Sequence, residues 1–382
     1  MAYPIDRRTF LRRGMRTAGG AATLGIAGPA LLEACSSSSK SSSSTTTSTS
    51  AASGSTGTAA PGSLGALTVQ LPWVPDVESG GEFLAVSKGF YTAQGFSSAT
   101  LIPGGPNATP QETVVQQGKA LIGCTSLDST AAAIEKGFTI KCIGTEYQKN
   151  PFCIMSRADK PIHTPQDMYG KKIGVQSPND SVWAAFLKAN QLDPTKITKV
   201  VVQFDPTPLA QGQVDGWFSF ITNEPIELGL KGVKTTTFLL ADYNYPEVGN
   251  IWIATTDSLQ NAREKVKAAM IAEITAWREC IQNPDEPAQA TMQKYAQGLT
   301  LKAEQLQSLS QNQLMLGPDV NTYGLMYIGP DAQAANVKTL GFGGTTVTTS
   351  QLFDMTLLDD VYKARPDLKA VPTPGTIPGV TL

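Results

Sequence analysis

From Ala66 onward, short apolar runs bounded by Gly, Pro and Asn alternate with longer segments whose apolar residues recur every three or four positions. Runs of the first kind suit buried strands, and segments of the second suit amphipathic helices. "ALTVQLPW" reads as a strand, "GGEFLAVSKGFYTAQG" as a helix and "SSATLIPGG" as a second strand. "TPQETVVQQGK" is a helix capped by Thr109 and opened by Pro110; "ALIGCTS" follows as a strand, "LDSTAAAIEKG" as a helix and "TIKCIGTEY" as another strand. These helices stop at Gly89, Gly118 and Gly137, the residue type that best tolerates a left-handed end. The order β-α-β-α-β-α-β predicts a mostly parallel sheet with helices on both faces.

A second copy of the same grammar follows. "HTPQDMYGKKIGVQ" gives a short capped helix (Thr164, Pro165) and a strand, "NDSVWAAFLKANQ" a helix and "ITKVVVQF" a strand. "TPLAQGQVDGWFSFITNEPIELGLKG" and "TTTFLLADY" complete the unit, with Trp217 and Phe218 alternating so that one of them is expected in the core. "VGNIWIATTDSL" reads as a strand returning to the first sheet, and a long helix starts near Asn261 with Val266, Met270, Ile274 and Trp277 along one stripe. The fold class is therefore α/β, two lobes with the second inserted into the first. The expected bounds are 64–155 and 253–345 for lobe 1, 156–252 for lobe 2, and 346–382 for a C-terminal segment with a Pro/Gly tail. Extended crossovers near 152–155 and 251–254 form a two-strand hinge, with the binding site in the cleft between the lobes. Ligands in such sheets lie beyond the carboxyl ends of the strands.

The first sixty residues follow neither pattern. "DRRTFLRRG" pairs Arg7 and Arg8 ahead of "AGGAATLGIAGPALLEAC", which predicts a twin-arginine secretory signal over residues 1–35. Its end, "LLEAC", looks like a bacterial lipobox with Cys35 as the lipid-bearing residue; an ordinary signal peptide with an incidental Cys is the alternative. Residues 36–63 are almost all Ser, Thr, Gly and Ala, with too little apolar surface to fold, and read as a flexible tether. Together these predict a protein held by a lipid at the outer face of the cell membrane without spanning it. Its 382 residues suffice for two lobes, and a net charge of −2 supplies no basic field for nucleic acid. The exported compartment permits disulfides among Cys124, Cys142, Cys153 and Cys280, but three of the four sit in β-like runs where Cys acts as a small buried hydrophobe. No Cys or His spacing suggests a metal, and no cofactor motif is present.

Catalytic signatures are equally sparse. The chain has no G-x-S-x-G, no G-x-x-x-x-G-K-[ST] and no G-x-G-x-x-G, and its one histidine, His163, stands on a solvated loop beside Pro161. The loops after the strands instead carry aromatic, amide and hydroxyl groups. Lobe 1 offers Trp73, the "PGGPN" loop, Ser126 and Asp128 in "TSLDS", and Tyr147 and Gln148 in "YQKNPF". Lobe 2 offers Ser177 and Asn179 in "QSPNDSVW", Asn223 and Glu224 in "WFSFITNEP", and Tyr243 in "DYNYPE". Each alone fits a cap, a turn or core. Recurring at one cleft, they suit a flat, polar-edged, uncharged heteroaromatic ligand, whereas an anion would call for more than Lys149.

"LPWVPDVESGGEFLAVSKGFYTAQGF", "LIPGGPNATPQETVVQQGKALIG", "GKKIGV" and "AWRECIQNPDEPA" resemble the solute-binding proteins for thiamine-pyrimidine precursors, riboflavin, sulfonates and nitrate. That resemblance implies a type II periplasmic-binding-protein fold and a monomeric receptor that hands its ligand to a membrane permease and ATPase. The ligand it favours is a thiamine pyrimidine precursor, with riboflavin or another flavin second and nitrate or an alkanesulfonate third. A eukaryotic branch of the superfamily makes the thiamine pyrimidine from its own His and a Lys-bound pyridoxal phosphate. Those two residues align with Thr125 and Ser129 here, so the resemblance implies a binding protein and not that enzyme.

Overall fold

The structure, a computed structural model, describes residues 60–295 and 297–382. Arg7, Arg8, Cys35 and the tether as far as residue 59 lie outside the described residues. Two five-stranded sheets organise the rest, both within one compact unit, Thr58–Leu382. The first contains β1 (Ala66–Gln70), β2 (Ser98–Ile102), β3 (Ile122–Thr125), β4 (Ile140–Tyr147) and β10 (Gly249–Thr255). The second contains β5 (Phe152–Arg157), β6 (Lys172–Gln176), β7 (Thr198–Val202), β8 (Gly216–Phe220) and β9 (Thr235–Leu239).

Strand order is β2-β1-β3-β10-β4 in one sheet and β7-β6-β8-β5-β9 in the other. Each sheet is parallel except for one strand, β10 or β5, which runs antiparallel to both neighbours. The odd strand in each case is the one that has just crossed from the other lobe. It enters at the carboxyl edge and has to run back through the sheet. The crossings occupy residues 148–151 and 240–248, so β5 already belongs to the second sheet and β10 to the first.

Helices cover both sheets, as the alternation predicts. The helix Arg263–Gln282 buries Val266, Met270, Ile274 and Trp277 against lobe 1. It lies so close to the helix Gly80–Ser87 that a Cβ on Gly81 would stand 2.2 Å from Trp277 Nε1. Gly89, with a φ of 73°, ends the helix Gly80–Ser87 as expected and starts a further short helix, Phe90–Ala93. Trp217 and Phe218 are both fully buried, on opposite faces of β8, because both faces of this central strand are covered. The Pro/Gly tail also packs: the Gly375 N–H donates to the Ile281 carbonyl at 2.8 Å. All four described cysteines are buried free thiols. No helix among the described residues is long and apolar enough to cross a membrane.

Candidate functional site

Loops beyond the carboxyl ends of the parallel strands of the two sheets meet where the lobes join, the expected cleft. The loop after β1 is held from the next strand's loop: Gly104 N–H donates to the Trp73 carbonyl at 2.9 Å. A Cβ on Gly104 would stand 2.7 Å from the Pro72 carbonyl oxygen, which explains the glycine in "PGGPN". Trp73 is half-buried and meets Phe204, from the loop after β7 of the opposite lobe, edge-on at 5.2 Å between ring centroids. Phe204 escaped the sequence reading, although "QFDP" repeats the combination of strand end, aromatic and proline seen in "QLPW".

A polar contact also crosses the cleft. Asp128, in the first turn of the helix Leu127–Glu135, accepts from Ser181 Oγ at 3.3 Å. Ser181 lies in the first turn of the lobe 2 helix Asp180–Ala189. Glu247 of the second crossing is fully buried beside Asp128, and burial, then the Asp128 charge, push its carboxyl well above the usual range. Ser126 bonds Ser129 at 2.9 Å within its own turn. Across the cleft, Asn179 Nδ2 donates to Gln176 Oε1 at 3.0 Å, and Ser177 beside it is exposed.

Asn223 and Glu224 open the helix Glu224–Leu230 after β8. The Glu224 carboxylate is buried and accepts from Ser219 Oγ at 2.8 Å and from the Phe220 N–H at 3.0 Å. In lobe 1, Glu78 lies in the turn Val77–Ser79 after β1 and accepts from Asn250 Nδ2 at 2.9 Å. Burial, with Asp76 and Glu224 adding to it, raises the Glu78 carboxyl to about 8. Glu78 is absent from the sequence-based candidates, because nothing local to "DVES" distinguishes a cleft carboxylate from a cap.

Three candidates are turned elsewhere. Tyr147 is fully buried in the lobe 1 core, and its hydroxyl donates to Gln311 at 3.4 Å. Gln148 Nε2 donates to the Tyr327 carbonyl at 3.0 Å, so the amide ties the sheet edge to the C-terminal helices. Tyr243 packs edge-on against Phe238 at 5.2 Å, and its carbonyl accepts from Asn190, the residue that ends the helix Asp180–Ala189. That helix starts at the cleft, so Tyr243 sits at its far end. Its hydroxyl reaches the His163 carbonyl at 3.2 Å.

The charge at the cleft is acidic. Four arginines occur among the described residues, all elsewhere: Arg157 ends β5 opposite Thr235, and Arg263, Arg278 and Arg365 lie in the helical C-terminal part. Lys149, at the first crossing, pairs with Asp242 at 2.5 Å. Among the described residues no group of His, Cys, Asp and Glu is arranged to hold a metal ion.

A family profile described as "NMT1/THI5 like" matches residues 77–287. The chain is 24% identical over 245 residues to the riboflavin-binding protein RibY of Chloroflexus aurantiacus, spanning 62% of this chain and 70% of that protein. It is 40% identical over 63 residues to the 4-amino-5-hydroxymethyl-2-methylpyrimidine phosphate synthase of Uromyces fabae, spanning only 16% of this chain and 18% of that enzyme. Among solved structures, the periplasmic aliphatic sulphonate binding protein SsuA from Escherichia coli superposes with a TM-score of 0.56 at 16% identity, over 83% of this chain and 95% of that one.

Proposed function

The chain belongs to the NMT1/THI5-like family, and from that premise we propose that it is the extracytoplasmic, lipid-anchored substrate-binding component of an ATP-driven importer. The proposed ligand is a small heteroaromatic nutrient, with a thiamine pyrimidine precursor as first choice. One observation carries this reading: Trp73 and Phe204 meet edge-on from opposite lobes. Two rings supply faces for a flat ligand. The lining, to which none of the four described arginines contributes, disfavours sulfonate or nitrate. The similarity to RibY favours a flavin as second reading.

Function follows from hinge closure. A ligand bridging both lobes shifts the open–closed equilibrium towards the form that a permease would recognise. The synthase branch is disfavoured because Thr125 and Ser129 cannot replace its His and Lys: Thr125 is spent on a 2.6 Å bond to Glu112 and Ser129 on its own turn. A thermal-shift screen with 4-amino-5-hydroxymethyl-2-methylpyrimidine, riboflavin, an alkanesulfonate and nitrate tests the reading. Stabilisation by the pyrimidine or the flavin is expected. Stabilisation by the anions alone overturns it.

A further inference from the structure

Where the two crossings leave their sheets, their backbone N–H groups lose the ladder and need other partners. The C-terminal helices supply them. At the first crossing the N–H groups of Gln148 and Lys149 donate to the Leu314 carbonyl at 2.8 and 3.3 Å. Leu314 lies in the last turn of the helix Leu301–Met315, where carbonyls have no partner inside the helix. At the second crossing the Val248 N–H donates to Asn336 Oδ1 at 2.9 Å. Asn336 is fully buried, and its Nδ2 donates to the Ala332 carbonyl of its own helix at 2.8 Å, which fixes the way the amide faces. The crossings are also tied to each other, the Asn150 N–H donating to the Glu247 carbonyl at 3.0 Å.

The helix that carries Asn336, Pro330–Phe342, continues from the hinge to the second lobe. Its start is held in the C-terminal part of lobe 1, where the Gly329 N–H donates to Asp319 Oδ2 at 2.6 Å. Leu340 is buried in the lobe 1 core, and Val337 packs against that core. Phe342, the last residue, packs instead against the lobe 2 core, and the helix lies against the lobe 2 helix Asp180–Ala189. A Cβ on Gly343, just past the end, would stand 3.7 Å from Ala185 Cβ, an ordinary contact distance. The chain then returns to lobe 1, where Thr346 donates its N–H and its hydroxyl to Glu135 Oε1 at 2.6 and 2.9 Å. The 13 residues of this helix span about 20 Å as one stiff rod, so both lobes grip a single rigid piece.

We propose that the helix Pro330–Phe342 is a strap that holds lobe 2 against lobe 1. Asn336 fixes it to the second crossing, and Phe342 is its grip on lobe 2. Swinging lobe 2 away about the crossings must draw Phe342 off its lobe 2 contacts or break the Val248–Asn336 bond. The first exposes an aromatic ring to water, and the second leaves a buried N–H and a buried amide oxygen unpaired. The strap therefore weights the hinge equilibrium towards the arrangement in which Trp73 meets Phe204 and Asp128 meets Ser181. A ligand that needs both lobes then finds more of the protein ready for it, because apparent affinity scales with the competent fraction. The strap presupposes the hinge proposed above, whichever compound the cleft takes.

Small-angle scattering of the ligand-free full chain tests the strap, with hydrogen exchange and with calorimetric titration of 4-amino-5-hydroxymethyl-2-methylpyrimidine and riboflavin. F342A is expected to raise the radius of gyration while its circular dichroism stays that of the wild type. It should also weaken whichever probe binds by about tenfold. F342L keeps an apolar grip and should restore both values. G341A, in the same helix with nothing within 4 Å of the added carbon, should leave both unchanged. N336A should speed exchange of the Val248 amide about tenfold or more and also raise the radius. An unchanged or smaller radius in F342A, or a G341A that expands like F342A, overturns the proposal. Should F342A fail to fold, N336A decides: a larger radius with a faster Val248 amide supports the strap, and an unchanged radius overturns it. If neither probe binds, the ligand reading fails, while scattering and exchange still decide on the strap.

Discussion

Trp73 illustrates what a single residue's surroundings add to its identity. A tryptophan on a turn could be core. Here it is half-buried and held by Gly104, and its nearest ring belongs to the other lobe. Truncation to alanine is expected to weaken the bound compound about tenfold, from roughly 0.5–1.5 kcal/mol of ring stacking plus lost area. Titration calorimetry with whichever compound stabilises the wild type checks it. Glu82 makes the complementary point about stability. Burial lifts its carboxyl from 4.5 to about 8, so between those values the folded protein holds a proton that the unfolded chain releases. Its contribution is therefore complete below about pH 4.5 and is lost as pH rises through about 8. Glu82→Gln should raise Tm relative to wild type at pH 9 more than at pH 5, by at least about 2 °C in scanning calorimetry. An equal effect at both pH values would mean that the carboxyl is not protonated in the fold.

Elements obey the same rule at longer range. Periodicity located the strands and helices because burial on one face or two leaves a pattern of two or three-to-four residues. It could not tell that β8 is covered on both sides, so Trp217 and Phe218 are both core. Nor could it show that "GG" in "VESGGEF" marks a helix crossing as well as a helix start. Gly81→Ala places a methyl group inside the Trp277 ring contact and should cost about 1–3 kcal/mol by denaturant unfolding. Gly229→Ala, in the helix Glu224–Leu230 with nothing within 4 Å of the added carbon, should instead stabilise by about 0.5–1 kcal/mol. If both changes cost the same, the close approach at Gly81 is not what makes it glycine.

The whole molecule acts through the relation of its two lobes. Trp73 with Phe204 and Asp128 with Ser181 both join one lobe to the other, and we propose that a bound ligand would favour the conformation that keeps them together. A stabilising compound should therefore also reduce the radius of gyration in small-angle scattering, and Trp73→Ala should blunt that change. A ligand that raises Tm without compaction would argue against closure. At this scale the division between sequence and structure is clear. The chain by itself determined the two α/β repeats, the strand that returns from the second lobe to the first, and a set of aromatic and amide loops beyond strand ends. Each of these is written in local periodicity and turn chemistry. Tertiary structure alone decided that Phe204 faces Trp73, that Asp128 meets Ser181, and that Tyr147, Gln148 and Tyr243 serve packing. It also decided that Asn250 joins the buried Glu78 and Glu146, where burial raises both carboxyls. Such juxtapositions join residues far apart in the chain, and the protonation of a carboxyl is set by its neighbours in space, which no local pattern records.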